Sequence, residues 1–292
     1  MREGKPMGTK LETEKQKSLE DILSKVREIA VLPQVVHQLM EITESSDGSP
    51  ADIEKAVGID PGFTAKLLTI ANSAQFALPR KVVSLREACL MLGFKQIRAV
   101  ALSAGVFDLF VGKNDRESVR RRDWWRFSVD AAALARQIAS QCGVVPSEAY
   151  TAGLLHYVGK TLIDQSDPTA YDKVMHVVEK GAPERLAERI VFAVDHIDVA
   201  QEMFLRWRFA DELIAGLNYL DSPEITGKES RLAAVTHIAN ALVKVSRTGV
   251  VNEEDSPVIA EWAIKLLDVD PRTADSWIQS AALEHAVAAE AA

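Results

Sequence analysis

The sequence predicts an all-α protein, a two-lobed helical bundle, and three observations carry that expectation. Helix starts are marked by a capping residue followed by proline, at Ser49-Pro50, Asp60-Pro61 and Asp270-Pro271. Apolar residues recur at three- and four-residue spacing through most of the chain. Strand signals are nearly absent, because the Asp47-Gly48 pair lies between helical patterns and reads as a turn.

The elements follow in order. Residues 1–17 are polar and are expected to be disordered or the frayed start of a helix. Ser49-Pro50 opens a helix carrying Ile53, Ala56 and Val57, and Asp60-Pro61 opens one carrying Phe63, Leu67, Leu68 and Ile70. Ser84 and Glu87 form a capping box before Ala88, with Gly93 as the stop. Ile97, Val100, Ala101 and Ala104 mark the next apolar face. Later helices are signalled over residues 129–138, 186–194, 213–220, 232–245 and 258–267, and Asp270-Pro271 opens the last. Residues 112–123 are charge-dense and poor in apolar side chains. They are expected to connect an N-terminal lobe (18–111) to a C-terminal lobe (124–292).

Bulk properties narrow the function. The chain has 292 residues, 47% of them apolar, enough for a sizeable core. A net charge of -8 gives no bulk attraction to nucleic acid or anionic lipid. Cys89 and Cys142 are too few for a disulfide framework and read as reduced core thiols. The polar N-terminus holds no secretory signal, and the apolar run at residues 99–111 is too short to span a bilayer. A soluble, cytoplasmic protein is expected.

The strongest motif lies at residues 151–163, TAGLLHYVGKTLI. An apolar helical segment ending in His-Asp and then Gly-Lys would suggest a metal-dependent phosphohydrolase. Here Gly153, Leu154, Leu155, His156, Val158, Gly159 and Lys160 keep the frame, but Tyr157 stands where the carboxylate belongs. A phenol at its ordinary pKa is a poor ligand for a divalent ion. Lys160, four residues after His156, is read as a solvated helix-end charge, with contact to an anion as the functional alternative.

Further residues carry a family resemblance. They are Leu32-Pro33, Asp60-Pro61, Lys66-Leu67-Leu68, Ala71-Asn72-Ser73 with Phe76, Leu78-Pro79, Val83 to Ala88 and Leu92-Gly93-Phe94. Trp125-Arg126, Gly153 to Lys160, His196, Trp207 and Ile238 to Ala241 continue the pattern. From about residue 25 to 270 the chain resembles the HDOD family of bacterial signalling domains, relatives of the HD phosphohydrolases. The resemblance implies an HD-domain-like C-terminal lobe and a mostly non-catalytic signalling role. It also implies where metal ligands would fall in an active relative: Phe127, the pair His156-Tyr157, the stretch at Asn218, and Asn240. Only His156 retains a ligating side chain, and one imidazole does not make a metal site of useful affinity.

The expectation is therefore a regulatory module with no catalytic residues and no cofactor, in which a stray divalent ion near His156 or His196 is not expected. Phe127, His156, Tyr157, Lys160, His196, Asn218 and Asn240 would line a degenerate pocket. Asn72, Phe76, Pro79 and Arg86 form the candidate interaction surface. A protein partner or a small ligand would bind; a membrane or nucleic acid would not. Two rival readings stand beside this one. The first is a metal-dependent phosphohydrolase with a non-standard ligand set. The second is a DNA-binding regulator through a helix-turn-helix at residues 51–71, whose second helix offers little beyond Lys66 to read a groove. The Arg120-Arg121-Arg122 run beside Trp124-Trp125 is read as arginines solvating a hinge, and Phe204, Trp207 and Phe209 as core.

Overall fold

In the computed structural model the capping signals are realised as hydrogen bonds. The structure describes residues 7–26, 34–45, 47–57, 61–73, 76, 78–106, 110, 115–221, 230–250, 252–253 and 256–290. The first helices are α1 (Met7–Lys25), α2 (Gln34–Glu44), α3 (Pro50–Val57), α4 (Pro61–Ala71), α5 (Leu85–Leu92) and α6 (Phe94–Val106). There follow α7 (Asp115–Cys142), α8 (Pro146–Leu155), α9 (Val158–Ser166), α10 (Pro168–Glu179), α11 (Glu184–Phe192), α12 (His196–Arg206) and α13 (Asp211–Gly216). The chain closes with α14 (Arg231–Thr248), α15 (Glu261–Leu267) and α16 (Pro271–Glu290). Strand pairing among the described residues is confined to a two-residue antiparallel ladder, Asn252–Glu253 against Ser256–Pro257. The all-α expectation holds.

Local chemistry explains the helix starts. Ser49 Oγ accepts from the Asp52 amide ahead of α3, and Asp52 returns the contact to the Ser49 amide. Ser84 caps α5 by accepting from the Glu87 amide, and Gly93 ends that helix. Two starts not anticipated from sequence use the same devices. Asp167 caps α10 ahead of Pro168, and Asp195 with Asp198 forms a full capping box at α12. Residues 7–17, expected as disordered or the frayed start of a helix, belong to α1, whose buried face includes Leu19, Ile22 and Leu23. Residues 115–123 of the expected connection are the first turns of α7.

The chain divides into two compact units that cut across the lobes expected from sequence. One comprises Met1–Val31, Leu109–Trp125 and His156–Ala210; the other Leu32–Asp108, Arg126–Leu155 and Asp211–Ala292. In the first, α1 packs on α9 and α12, and α10 packs on α9 and α11. Its core includes an aromatic cluster in which Phe204 stacks on Trp207 at 5.8 Å and meets Phe209 edge-on at 4.8 Å. In the second, α6 is covered by α2, α4 and α8, while α14 is the central helix against α8, α13, α15 and α16. Val235, Ile238 and Leu242 of α14 meet Ile138, Ala152, Ile259 and Leu267 there. Each Val, Leu or Ile among them contributes about 1.5–3 kcal/mol by leaving water.

Candidate functional site

The motif at residues 151–163 is two helices, not one. The chain breaks at His156-Tyr157, between the end of α8 and the start of α9. His156 and Lys160 therefore do not share one helical face. The two glycines of the motif are required by close approach. A Cβ on Gly153 would lie 2.9 Å from the Ala131 carbonyl oxygen, and one on Gly159 only 1.9 Å from the His196 carbonyl oxygen. Much of the motif is thus explained by packing before any chemistry is invoked.

Lys160 is buried, contrary to its reading as a solvated charge. Its Nζ pairs with Glu184 Oε2 at 2.6 Å and lies 3.7 Å from the centroid of the Tyr157 ring. Burial alone would lower the ammonium pKa. Attraction to Glu184, Tyr157 and Glu188 overrides that and holds it above the ordinary lysine range. His156 stacks beside Tyr157 with ring centroids 4.0 Å apart, and His196 meets the same ring edge-on at 6.5 Å.

Behind these residues lies a buried carboxylate that sequence reading missed. Glu188 of α11, fully buried, accepts from the Tyr171 hydroxyl at 3.1 Å and from the His196 amide at 2.9 Å. Its Oε2 also lies 2.6 Å from His196 Nδ1. Burial, then the charges of Glu184 and Glu188, push the Tyr171 phenol well above its usual range, so it remains a donor. Asp195 accepts from Arg185 Nε at 2.7 Å while capping α12. Burial would raise this carboxyl, but Arg185 and His196 outweigh it and hold it below its ordinary value. No spacing ties Glu184 or Glu188 to the motif; the only readable signal was Asp195-x-x-Asp198, a capping box.

The arginine run is also built in. Arg120 and Arg121 both pair with the buried Asp164, and Arg120 reaches Asp172 at 3.0 Å. These two arginines hold α7 to α9 and α10 and do not solvate a hinge.

The remaining pocket candidates lie in the other unit. Phe127 sits on α7 with the Arg247 guanidinium 5.3 Å from its ring centroid, and Arg247 also pairs with Asp130 at 2.6 Å. Asn218 is half-buried after α13, and Asn240 is buried on α14. Nearby, His237 is fully engaged by backbone: Nδ1 donates to the Tyr219 carbonyl at 2.8 Å and Nε2 accepts from the Ala260 amide at 2.9 Å.

A divalent metal does not fit these residues. Among the described residues no three His, Cys, Asp or Glu side chains cluster as a metal site. At Tyr157, where a ligand would stand, a lysine ammonium already lies against the ring.

The candidate interaction surface divides in two. Asn72 is a structural clamp: its side chain donates to the Val82 carbonyl at 2.8 Å and accepts from the Val82 amide at 2.7 Å. Phe76 is buried against Tyr150, with ring centroids 5.6 Å apart, because a phenyl ring gains more from the core than from water. Pro79 and Arg86 are exposed. No helix among the described residues is long and apolar enough to cross a membrane.

Comparison with known proteins places this architecture. A solved structure from Shewanella amazonensis SB2B, provisionally named a phosphohydrolase, is 23% identical with a TM-score of 0.70. The match covers 91% of this chain and 94% of that one. A structure from Marinobacter aquaeolei VT8, provisionally named a signal transduction protein, is 17% identical with a TM-score of 0.67, covering 94% of this chain and 64% of that one. At these identities the likeness speaks to the fold. A Treponema pallidum (strain Nichols) protein, named only as uncharacterized, is 21% identical over 215 residues, 73% of this chain. This chain spans 42% of the length of that curated relative. The sequence profile of the HDOD domain matches residues 29–223, more than half of the protein, and the chain belongs to the HDOD domain family.

Proposed function

We propose that this HDOD protein is a non-catalytic regulatory module of a signalling pathway, acting by binding a partner protein or a small ligand. The observation that supports the reading is the cation at Tyr157: Lys160, neutralised by Glu184, lies against the residue that replaces the expected carboxylate. An ion pair there supplies packing and charge balance, but neither a metal-bound nucleophile nor an electrophile for a phosphate ester. The provisional name of the Marinobacter neighbour agrees with a signalling role. The provisional phosphohydrolase name of the Shewanella neighbour points the other way, and at 17% and 23% identity both neighbours speak to the fold, so neither name decides the reading.

Elemental analysis of the purified full chain, followed by a phosphodiesterase assay in added manganese or iron, tests the reading. The expected result is far less than one bound metal per chain and no metal-dependent turnover. Stoichiometric metal together with metal-dependent turnover would overturn it.

A further inference from the structure

We propose that the outward face of α5, with the turn before it, docks a short acidic segment of a partner protein that carries aliphatic side chains at helical spacing. This deepens the reading as a binding module and rests on it.

Val83 and Leu90 are the two most exposed large hydrophobic residues described, at 81% and 73%. Arg86 and Leu90 stand four residues apart on one face of α5, and Val83 lies in the extended turn before the N-cap Ser84. Pro79, Arg80, Lys81 and Arg86 are exposed around them. Residues 79–90 hold three basic side chains and one acidic one, Glu87, in a chain whose net charge is -8. Glu87 is spent locally: its carboxylate accepts from the Val83 amide at 3.0 Å and pairs with Arg80. Lys81 and Arg86 are then the exposed cations of this segment, and the acidic charge nearest to them from a packed element is Glu54 of α3, which acts on Cys89 of α5.

The surface is also held in shape before any partner arrives. The Asn72 clamp fixes the backbone at Val82, and the Ser84 cap fixes the first turn of α5. Val82 and Leu85 are buried while Val83 between them points outward, so its exposure is set by the scaffold. A preformed face loses little conformational entropy on binding.

Charge and composition choose the occupant. Aliphatic anchors rimmed by cations match an amphipathic acidic helix, whose Leu-type side chains cover Val83 and Leu90 while its carboxylates meet Lys81 and Arg86. Residues 79–90 hold no aromatic or amide side chain with which to stack on or read bases. Two aliphatic side chains are too few to hold an acidic protein on an anionic bilayer.

The test titrates full-length protein into a labelled helical peptide of about 15 residues, with Leu at three- and four-residue spacing and Glu elsewhere. Parallel arms use the same peptide with Lys in place of Glu, phosphatidylserine vesicles and a single-stranded oligodeoxynucleotide. The expected result is saturable, salt-sensitive binding of the Glu peptide alone. Arg86→Glu or Leu90→Asp should weaken it about tenfold or more. Leu186→Asp, at an exposed leucine of α11, should leave it unchanged. Val83→Ser serves as a second probe of the face should Leu90→Asp fail to fold. A silent Glu peptide, binding indifferent to Arg86 and to the face variants, or preference for vesicles or oligonucleotide would overturn the proposal. A silent peptide removes only this face, whereas metal-dependent turnover in the same preparation removes the binding-module reading itself.

Discussion

The ring of His237 lies between two backbone groups of opposite polarity, and that arrangement fixes its charge. The Tyr219 carbonyl can only accept, so Nδ1 carries the proton; the Ala260 amide can only donate, so Nε2 must stay bare. A second proton would set donor against donor in a half-buried site. Burial is the main cause of a pKa lowered from 6.5 to about 4, with Lys244 adding to it and the Tyr219 bond opposing. The fold therefore prefers the neutral ring. Its contribution is complete above pH 6.5 and is lost as pH falls from there through about 4. The lost stability is on the order of 1–3 kcal/mol. Urea unfolding at pH 7 and pH 4.5 should show a larger loss for the wild type than for His237→Gln, which has no titrating ring. A His237 ring signal titrating near pH 6.5 in a proton NMR series would refute the account. Lys160 makes the complementary point, since its charge is buried only because the part-exposed carboxylate of Glu184 pairs with it.

At the scale of elements, Gly159 sets how closely α9 can approach the first residue of α12. A methyl group there would sit 1.9 Å from the His196 carbonyl oxygen, and backbone cannot rotate aside as a side chain can. Gly216 offers a contrast, because a Cβ there meets the flexible tip of Leu232 at 3.0 Å. Gly159→Ala should cost roughly 2–4 kcal/mol in chemical denaturation, with Gly216→Ala costing clearly less. Equal costs would show that the two helices shift apart freely. The same pair explains what the sequence can and cannot tell. Caps are legible because donor and acceptor are three residues apart, as at Ser49 and Ser84, and the caps at Asp167 and Asp195, not anticipated from sequence, have the same local form. The absence of metal ligands at Phe127, Tyr157 and Asn240 is likewise visible in the letters alone. Gly159 against His196, Lys160 against Glu184 and Asn72 against Val82 depend on separations of ten residues or more, which no local pattern encodes. Hence local pattern alone assigns Lys160 and the arginine run to solvent, and Phe76 to the surface.

For the molecule as a whole, each compact unit is assembled from three separate stretches of chain. Neither can fold from one contiguous piece. The charge-dense stretch at residues 112–123 suggests a cut, yet its described part, residues 115–123, lies within α7. A fragment of residues 18–111 would lose α8, and with it Tyr150, which packs on Phe76 at 5.6 Å and lies 3.4 Å from Ser103. Phe76 would then face water, and α6 would lose one of its covering helices. A fragment of residues 124–292 would lose α1, which covers α9 and α12, together with Arg120 and Arg121. Asp164, fully buried, would be left without either arginine. Stranding a buried charge in this way costs about 3–5 kcal/mol, a large part of an ordinary domain's stability. Thermal melts followed by circular dichroism should therefore show a cooperative transition for the full chain and none for either fragment alone. A fragment that melts cooperatively by itself would mean that its severed contacts are dispensable, and that the polar stretch does separate independent folding units.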